Sequence, residues 1–132
     1  MIKDLNNYFT SIYYQLHPTH EVAISHQSVR ILQMIQKEDD VTVRDIAELL
    51  NISQNTASEH IKKLERSGWV KKERAIEDQR KVHLYLTAEG FHILKKNTEL
   101  DDEKLQHALN KLSGEEQESI LQAFRLLSEV AK

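Results

Sequence analysis

Residues 56–91 constrain the fold more than any other part of the chain, because they pass from a polar helix through a turn and two short strands into another helix. Gly68 is a typical helix stop. Residues 69–74 and 81–86 have the composition of strands, and the second stretch alternates apolar and polar side chains. This order predicts a polar surface helix followed by a β-hairpin with its tip at residues 75–80.

A shorter helix is predicted just before this segment. Thr42 and Asp45 have the spacing of a capping box, and Asn51 tolerates the left-handed conformation in which many helices end. Ser53 then stands where it can cap the next helix. Two helices joined by a turn of about three residues, with a hairpin after them, form a winged helix-turn-helix, which we assign to residues 26–87.

Apolar residues at spacings of three and four predict helices on both sides of this region. We expect helices over residues 2–16 and about 28–36, one helix over about 88–112 with a bend near 97–103, and a last helix opened by the capping box of Ser113 and Glu116. The chain is therefore expected to be mainly α with a small β-hairpin wing.

The helices at the two ends carry more apolar surface than one small domain needs. Their stripes run over residues 2–16, 91–112 and 120–130, and two-fold pairing of two chains would bury them. Packing within one chain is the alternative. We expect one domain of residues 1–132, in which residues 1–20 and 88–132 form the dimerisation helices of a homodimer.

Charge is distributed unevenly along the chain. The whole chain has 18 basic and 21 acidic residues, a formal net charge of −3, whereas residues 53–83 have eight basic and five acidic ones. The positive excess lies in the predicted helix and hairpin, where it favours a nucleic acid partner. There is no cysteine, which excludes a disulfide, a thiolate metal site and a cysteine redox switch.

Several function classes have no support in the sequence. No apolar run approaches the roughly 20 residues that span a bilayer, and residues 1–6 lack the basic and apolar regions of a signal peptide, so we expect a soluble cytoplasmic protein with no membrane partner. Three glycines leave little room for a phosphate-binding loop, and there is no nucleophile elbow or His-Glu-x-x-His motif. We expect neither enzyme activity nor a cofactor.

The predicted DNA-binding residues lie mainly on the helix of residues 53–67 and on the hairpin tip of residues 75–81. Asn and Gln pair with adenine, Ser and Thr bond bases or phosphates, and Lys and Arg neutralise phosphates or enter a narrow minor groove. The expected contacts are Thr42, Ser53, Gln54, Asn55, Thr56, Ser58, Glu59, Lys62, Lys63, Asp78, Arg80 and Lys81. A solvated helix face and an ordinary charged hairpin are the alternatives.

Three stretches resemble the MarR (multiple antibiotic resistance regulator) family of winged helix-turn-helix transcriptional regulators. They are residues 45–53 (DIAELLNIS), residues 61–70 (IKKLERSGWV), and residues 78–80 (DQR) followed by 86–90 (LTAEG). The resemblance implies a homodimeric repressor or activator that binds a pseudo-palindromic operator in double-stranded DNA, and we favour a repressor.

The resemblance also implies roles for individual residues. Arg80 matches the wing arginine and Thr56 a phosphate contact, while the base-facing positions are Gln54, Asn55, Ser58 and Glu59. Glu59 departs from the family pattern, in which that position is often basic or neutral. At this position Glu59 would either accept a hydrogen bond from the amino group of a cytosine or point away from the DNA.

A small-molecule effector is implied as well, because the family has a pocket between the dimerisation helices and the reading domain, often for phenolic or other aromatic acids. Such a ligand, of unknown identity, would release the DNA. The candidate lining residues are Tyr8, Phe9, Tyr13, His26 and Phe91. Ordinary core packing is the alternative for each of them.

Two other functions on the same fold stay open. A winged helix that binds only protein is one, although the basic excess argues against it. The other is a zinc-responsive regulator, but the histidine spacing is loose and contains no His-x-x-x-His pair, so we assign no metal site. Its ligands would come from His17, His20, Glu21 and His26, with His92 and His107 on a later helix.

Overall fold

A computed structural model describes residues 1–19 and 22–132. Within these residues there are seven helices and one two-stranded antiparallel sheet, and no helix is long and apolar enough to cross a membrane. The predicted fold class, mainly α with a hairpin wing, is confirmed. In chain order the elements are α1 (Ile2–Leu16), α2 (His26–Lys37), α3 (Val43–Leu50), α4 (Gln54–Arg66), β1 (Val70–Arg74), β2 (Val82–Leu86), α5 (Ala88–Thr98), α6 (Asp102–Leu109) and α7 (Gly114–Val130).

The chain divides into two compact units. One is Pro18–Glu99, which holds α2 to α5 and the hairpin, and the other is Met1–His17 with Leu100–Lys132, which holds α1, α6 and α7. Ile93 and Leu94 of α5 are buried in the core of the first of these units, and the assignment of residues 1–132 to one domain stays a prediction. The dimerisation role of the terminal segments stays a prediction.

The core of the first unit draws on every helix and both strands in it. Because α4 turns its apolar stripe into this core, its opposite face is left to solvent. The buried side chains are Ile31, Leu32 and Ile35 of α2, Ile46 and Ala47 of α3, Ala57, Ile61 and Leu64 of α4, Val70 of β1, Leu84 and Leu86 of β2, and Ile93 and Leu94 of α5, with Val41 before α3.

Side-chain caps determine where α3 and α4 begin. Thr42 and Asp45 form the predicted capping box: the Thr42 hydroxyl accepts from the Asp45 amide at 3.3 Å, and the Asp45 carboxylate accepts from the Thr42 amide at 2.9 Å. Asn51 ends α3 with a φ of 54°. Ser53 accepts from the Thr56 amide at 3.1 Å and caps α4. These three predicted boundaries are confirmed.

The hairpin is attached to the helices at its base. β1 and β2 pair antiparallel with Val70 opposite Leu86, and both of these side chains are buried in the core. The Leu84 amide donates to the Val41 carbonyl at 2.8 Å, which joins β2 to the segment before α3. The wing therefore projects from a fixed base.

The turn after α4 and the start of α5 meet at one junction, formed by Gly68, Trp69, Thr87 and Gly90. Gly68 has a φ of 82°, and its carbonyl accepts from the Thr87 hydroxyl at 2.6 Å. Thr87 also accepts from the Gly90 amide at 3.0 Å and donates its own amide to the Trp69 carbonyl at 3.1 Å. A side chain at Gly90 would overlap that same carbonyl. The Leu-Thr-x-x-Gly motif thus fixes the end of α4 against the base of the wing.

The second unit is held by contacts at the helix ends. The Lys104 ammonium of α6 donates to the His17 carbonyl at 2.9 Å, and the Gln117 amide of α7 donates to the Leu109 carbonyl at 2.8 Å. Neither α1 nor α7 has a buried residue. Their apolar side chains are therefore largely exposed in a single chain.

The start of α2 differs from the prediction. The helix begins at His26 rather than near residue 28, because Ser25 acts as its cap and accepts from the Ser28 amide at 3.1 Å. The apolar residues of α2 begin later in the sequence than this cap, so the prediction from the apolar pattern placed the start of the helix too late.

The helix expected over residues 88–112 is also different, because it is two helices, α5 and α6, separated by residues 99–101. Asp101 caps α6 by accepting from the Lys104 amide at 3.0 Å. The weakening of the apolar pattern near residues 97–103 therefore marks a complete break rather than a bend.

Gly90→Ala should lower the free energy of unfolding by about 1 to 3 kcal/mol, because the added methyl group overlaps the Trp69 carbonyl. Urea denaturation followed by circular dichroism measures the change. Gly114→Ala is the matched control, because nothing lies within 4 Å of a methyl group there and alanine favours a helix over glycine. Equal destabilisation by the two substitutions would contradict the role of Gly90.

Candidate nucleic-acid interface

The solvent-facing side of α4 is polar and cationic. It holds three cations and one carboxylate, and no acidic residue stands in the first turn, where one would compete for the positive end of the helix dipole. We call this set of exposed residues the α4 outer face: Gln54, Asn55, Thr56, Glu59, Lys62, Lys63 and Arg66.

The N-terminal end of α4 has the properties of an anion-binding position. Ser53 accepts from the Thr56 amide and donates its hydroxyl to Thr56 Oγ1 at 2.9 Å. As in any helix, the first amides have no acceptor within the helix. These amides and the helix dipole favour a phosphate, and the exposed side chains of Gln54 and Asn55 flank the same position.

Two glutamates of α4 have different partners. Glu65 Oε1 lies 3.1 Å from Lys72 Nζ of β1, and both side chains are only about a third exposed, at 33% and 32%. This pair ties α4 to the hairpin and is screened less than a surface pair. Glu59 Oε1 lies 3.4 Å from Lys62 Nζ on the same helix, and both side chains are well exposed.

Hydrogen bonds within the hairpin tip give the wing a defined turn. The Ala75 amide donates to the Lys81 carbonyl at 2.9 Å, and the Lys81 amide donates to the Asp78 carbonyl at 3.0 Å. The Arg74 guanidinium donates to the Gln79 carbonyl at 2.7 Å. Arg74 therefore holds the tip from the end of β1.

Asp78 orients Arg80 at the tip of the wing. One Asp78 carboxylate oxygen accepts from the Arg80 amide at 3.0 Å and from Arg80 Nε at 3.2 Å. The backbone hydrogen bond first, then the guanidinium hydrogen bond and the charge of Lys81, hold the pKa of Asp78 below its ordinary value, although partial desolvation opposes this. Asp78 is thus kept ionised, and the Arg80 side chain, 91% exposed, extends from it into solvent.

A groove of about 740 Å³ runs between the wing and the starts of α3 and α4. It carries both cations and carboxylates, so its charge is mixed rather than uniformly positive. The groove brings five of the predicted contact residues to one surface, namely Thr42, Gln54, Asp78, Arg80 and Lys81.

Three residues at or near this surface were not among the DNA contacts predicted from the sequence. Arg44 and His83 line the groove, and His83 Nδ1 lies 3.5 Å from the Asp40 carboxylate. Arg74 holds the wing tip, as described above. Arg44 follows the capping residue Thr42 directly, so its exposure on the first turn of α3 was predictable. The positions of Arg74 and His83 depend on the register of the hairpin, which the strand pattern did not predict.

The other predicted contacts lie on or beside α4. Ser53 and Thr56 are exposed but hydrogen-bonded to each other in the cap. Ser58 is half-buried at the edge of the helix, which makes its side chain the least available of the set. The remaining four belong to the α4 outer face: Asn55, Glu59, Lys62 and Lys63.

The residues predicted to line an effector pocket are divided between the two units. All five are exposed in a single chain, so the pocket stays a prediction. Tyr8, Phe9 and Tyr13 lie on α1, whereas His26 and Phe91 belong to the unit of the winged helix-turn-helix.

The zinc alternative is likewise neither supported nor contradicted. Among residues 1–19 and 22–132, no three His, Asp or Glu side chains converge in a group that could hold a metal ion. His20 and Glu21, two members of the predicted ligand set, lie outside the described residues.

Comparison with known proteins identifies the family. Residues 24–82 match the family model described as the MarR family. The uncharacterized HTH-type transcriptional regulator YfiV of Bacillus subtilis (strain 168) is 30% identical over 105 residues, which cover 80% of this chain and 66% of that protein. The transcriptional regulator HosA of Escherichia coli O111:H- is 37% identical over 70 residues, and the chain spans about half of its length, at 52%.

Solved structures show the same fold. S. aureus MepR bound to ethidium bromide superposes with a TM-score of 0.62 at 21% identity, over 99% of this chain and 94% of that one. A mutant of S. aureus MepR bound to an oligodeoxyribonucleotide gives a TM-score of 0.54 at 24% identity, over 83% of this chain and 80% of that one.

The expectation of no enzyme activity is confirmed by these relatives, because the family consists of transcriptional regulators. The resemblance carried by the three sequence stretches is confirmed by the family model and by the fold. This chain belongs to the MarR family of winged helix-turn-helix transcriptional regulators.

Proposed function

We propose that this protein is a cytoplasmic, homodimeric repressor that binds a pseudo-palindromic operator, with residues 53–67 in the major groove and residues 75–81 in the minor groove. One observation carries the proposal: Gln54 of α4 and Arg80 and Lys81 of the wing line a single groove. The helix start and the wing tip therefore face the same side. A protein of the same fold bound to an oligodeoxyribonucleotide supports it.

The α4 outer face suits the major groove of DNA, which is about 12 Å wide and admits one α-helix. Asn55 is exposed near the helix start, where it pairs with adenine by donating to N7 and accepting from N6. Lys63, about two turns later, neutralises a phosphate. The first amides of α4 bind a further phosphate.

The wing suits the minor groove because of how Arg80 is held. Asp78 fixes the backbone and Nε of Arg80 while its side chain stays 91% exposed. An arginine already extended loses less conformational freedom when it binds. A narrow minor groove has enhanced negative potential, which attracts this charge.

The apolar surface of α1 and α7 supports the homodimer. Helices with no buried face are marginal in water, and a contiguous exposed apolar surface marks an interface. Pairing two chains would bury it, and a dimer that binds both halves of a palindrome needs its two α4 helices about 34 Å apart, on successive turns of one side of DNA. The exposed apolar residues of α1 and α7 include Ile2, Leu5, Tyr8, Phe9, Ile12, Ile120, Leu121, Phe124, Leu127 and Val130.

Repression and its release complete the proposal. A dimer bound across a promoter excludes polymerase, so occupancy alone represses. Release by a small aromatic ligand is the second part of this proposal, and Tyr13 of α1, outside the dimer set above, offers it an exposed ring. A protein of the same fold bound to ethidium bromide, an aromatic cation, also supports it.

Arg80→Ala should weaken operator binding by about tenfold or more, because it removes the charge that enters the minor groove. Fluorescence anisotropy at fixed salt measures the affinity. Lys111→Ala, which removes an exposed cation outside the winged helix-turn-helix, is the control and should change affinity by less than about twofold. If Arg80→Ala binds like the unsubstituted protein, the wing has no part in the mechanism.

Salt should weaken operator binding steeply, because lysines and arginines at phosphates displace condensed counterions. Contacts with about six phosphates would lower the affinity by roughly a thousandfold between about 50 and 200 mM salt. Anisotropy titrations across this range measure the slope of log affinity against log salt. A slope near zero would contradict binding to the DNA backbone.

Phe124→Glu should dissociate the dimer, because Phe124 is 56% exposed in a single chain and lies within the apolar stripe of α7. A buried carboxylate without a partner would be costly. Sedimentation equilibrium measures the molecular mass. Gln122→Glu is the control, since it adds the same charge on the opposite side of the same helix. A Phe124→Glu protein that stays dimeric would contradict the assigned interface.

A further inference from the structure

Glu59 is the one carboxylate of the α4 outer face. Its side chain is 70% exposed, and it stands one turn after Asn55 and one turn before Lys62 and Lys63. Its ion pair with Lys62 lies at the surface, where such pairs contribute little to stability. Both side chains can therefore change partners when the helix meets DNA.

In the major groove a carboxylate can only accept hydrogen bonds. Cytosine offers its N4 amino donor there, whereas guanine offers two acceptors and thymine offers an acceptor and a methyl group. Adenine places an acceptor, N7, beside its N6 donor, and a carboxylate is repelled by N7. Glu59 in the groove thus favours cytosine and disfavours the other three bases.

Lys62 extends this match to the partner base. In a C·G pair, the amino donor of cytosine lies about 2.9 Å from guanine O6, because the two atoms share a hydrogen bond. Glu59 Oε1 and Lys62 Nζ present an acceptor beside a donor at 3.4 Å. The acceptor and donor of the Glu59–Lys62 pair therefore match the donor and acceptor of the C·G pair, at a similar distance from each other.

We propose that the Glu59–Lys62 pair reads one C·G base pair in each half of the operator. Glu59 accepts from cytosine N4, and Lys62 donates to guanine O6 or N7. The inference rests on the proposed function, because it requires α4 in the major groove. The inference goes beyond the proposed function by specifying one base pair, C·G, in each half of the operator.

Selection of duplexes from a random pool, followed by sequencing, tests the inference. The unsubstituted protein should enrich a palindrome with C·G at one position of each half-site, by about fivefold or more over the other base pairs. Glu59→Gln should change that position to A·T, because glutamine pairs bidentately with adenine. Glu59→Ala and Lys62→Met should lose the preference there and keep it elsewhere.

Glu48→Gln is the matched control. Glu48 is 67% exposed and pairs with Arg44 at 3.3 Å, much as Glu59 pairs with Lys62, but it lies on α3. The control substitution removes the same charge and should leave the preference at every position unchanged. Thermal melting should show that all variants are folded, because the three substituted side chains are exposed.

The outcomes separate the inference from the proposed function. If the unsubstituted protein enriches a palindrome and the Glu59 variants keep every base preference, the inference is wrong and the proposed function stands. If Lys62→Met weakens all sequences equally, Lys62 contacts a phosphate and the paired reading is wrong. A pool in which no sequence is enriched by the unsubstituted protein contradicts the proposed function, and the inference with it.

Discussion

The hydrogen bond from the Thr87 hydroxyl to the Gly68 carbonyl, 2.6 Å long, joins the turn after α4 to the end of β2 and so fixes α4 against the base of the wing. α4 ends just before Gly68, and β2 ends just before Thr87. Gly90 lets the two segments approach so closely that a side chain there would meet the Trp69 carbonyl. The shared groove between α4 and the wing therefore depends on this junction, which contains none of the predicted DNA contacts. In this way a short motif outside the predicted DNA contacts fixes the positions of the elements that carry them.

Charge acts locally at the candidate interface, which is why the net charge of −3 does not describe it. Both carboxylates of α4 and the carboxylate of Asp78 lie against a cation, and the three pairs differ in burial and in consequence. The half-buried pair holds α4 on β1, the pair at the wing tip aims an arginine, and the exposed pair on the outer face can exchange its partners for base edges. These pairs are Glu65–Lys72, Asp78–Arg80 and Glu59–Lys62.

Local signals accounted for most of the fold and for part of the candidate site. The caps at Thr42 and Ser53 and the left-handed end at Asn51 are fixed by side chains within a few residues, so their positions could be predicted. At residues 99–101 the Asp101 cap of α6 is a local signal too, but the apolar pattern that was followed there did not separate a break from a bend. The contacts of Arg74 and His83 follow from the register of the hairpin, which the alternation of apolar and polar side chains did not specify. The dimer and any effector pocket need a second chain or a ligand, so a single sequence can only imply them.

The central claim is that two copies of this reader bind one DNA site with α4 in the major groove and the wing in the minor groove. A hydroxyl-radical footprint of the protein on its selected duplex tests this most directly, because the radicals attack sugars exposed in the minor groove. The account predicts protected minor-groove segments arranged symmetrically about a dyad, flanking two half-sites whose centres are about 10 base pairs apart. Protection confined to one half-site, or none in the minor groove, would contradict it.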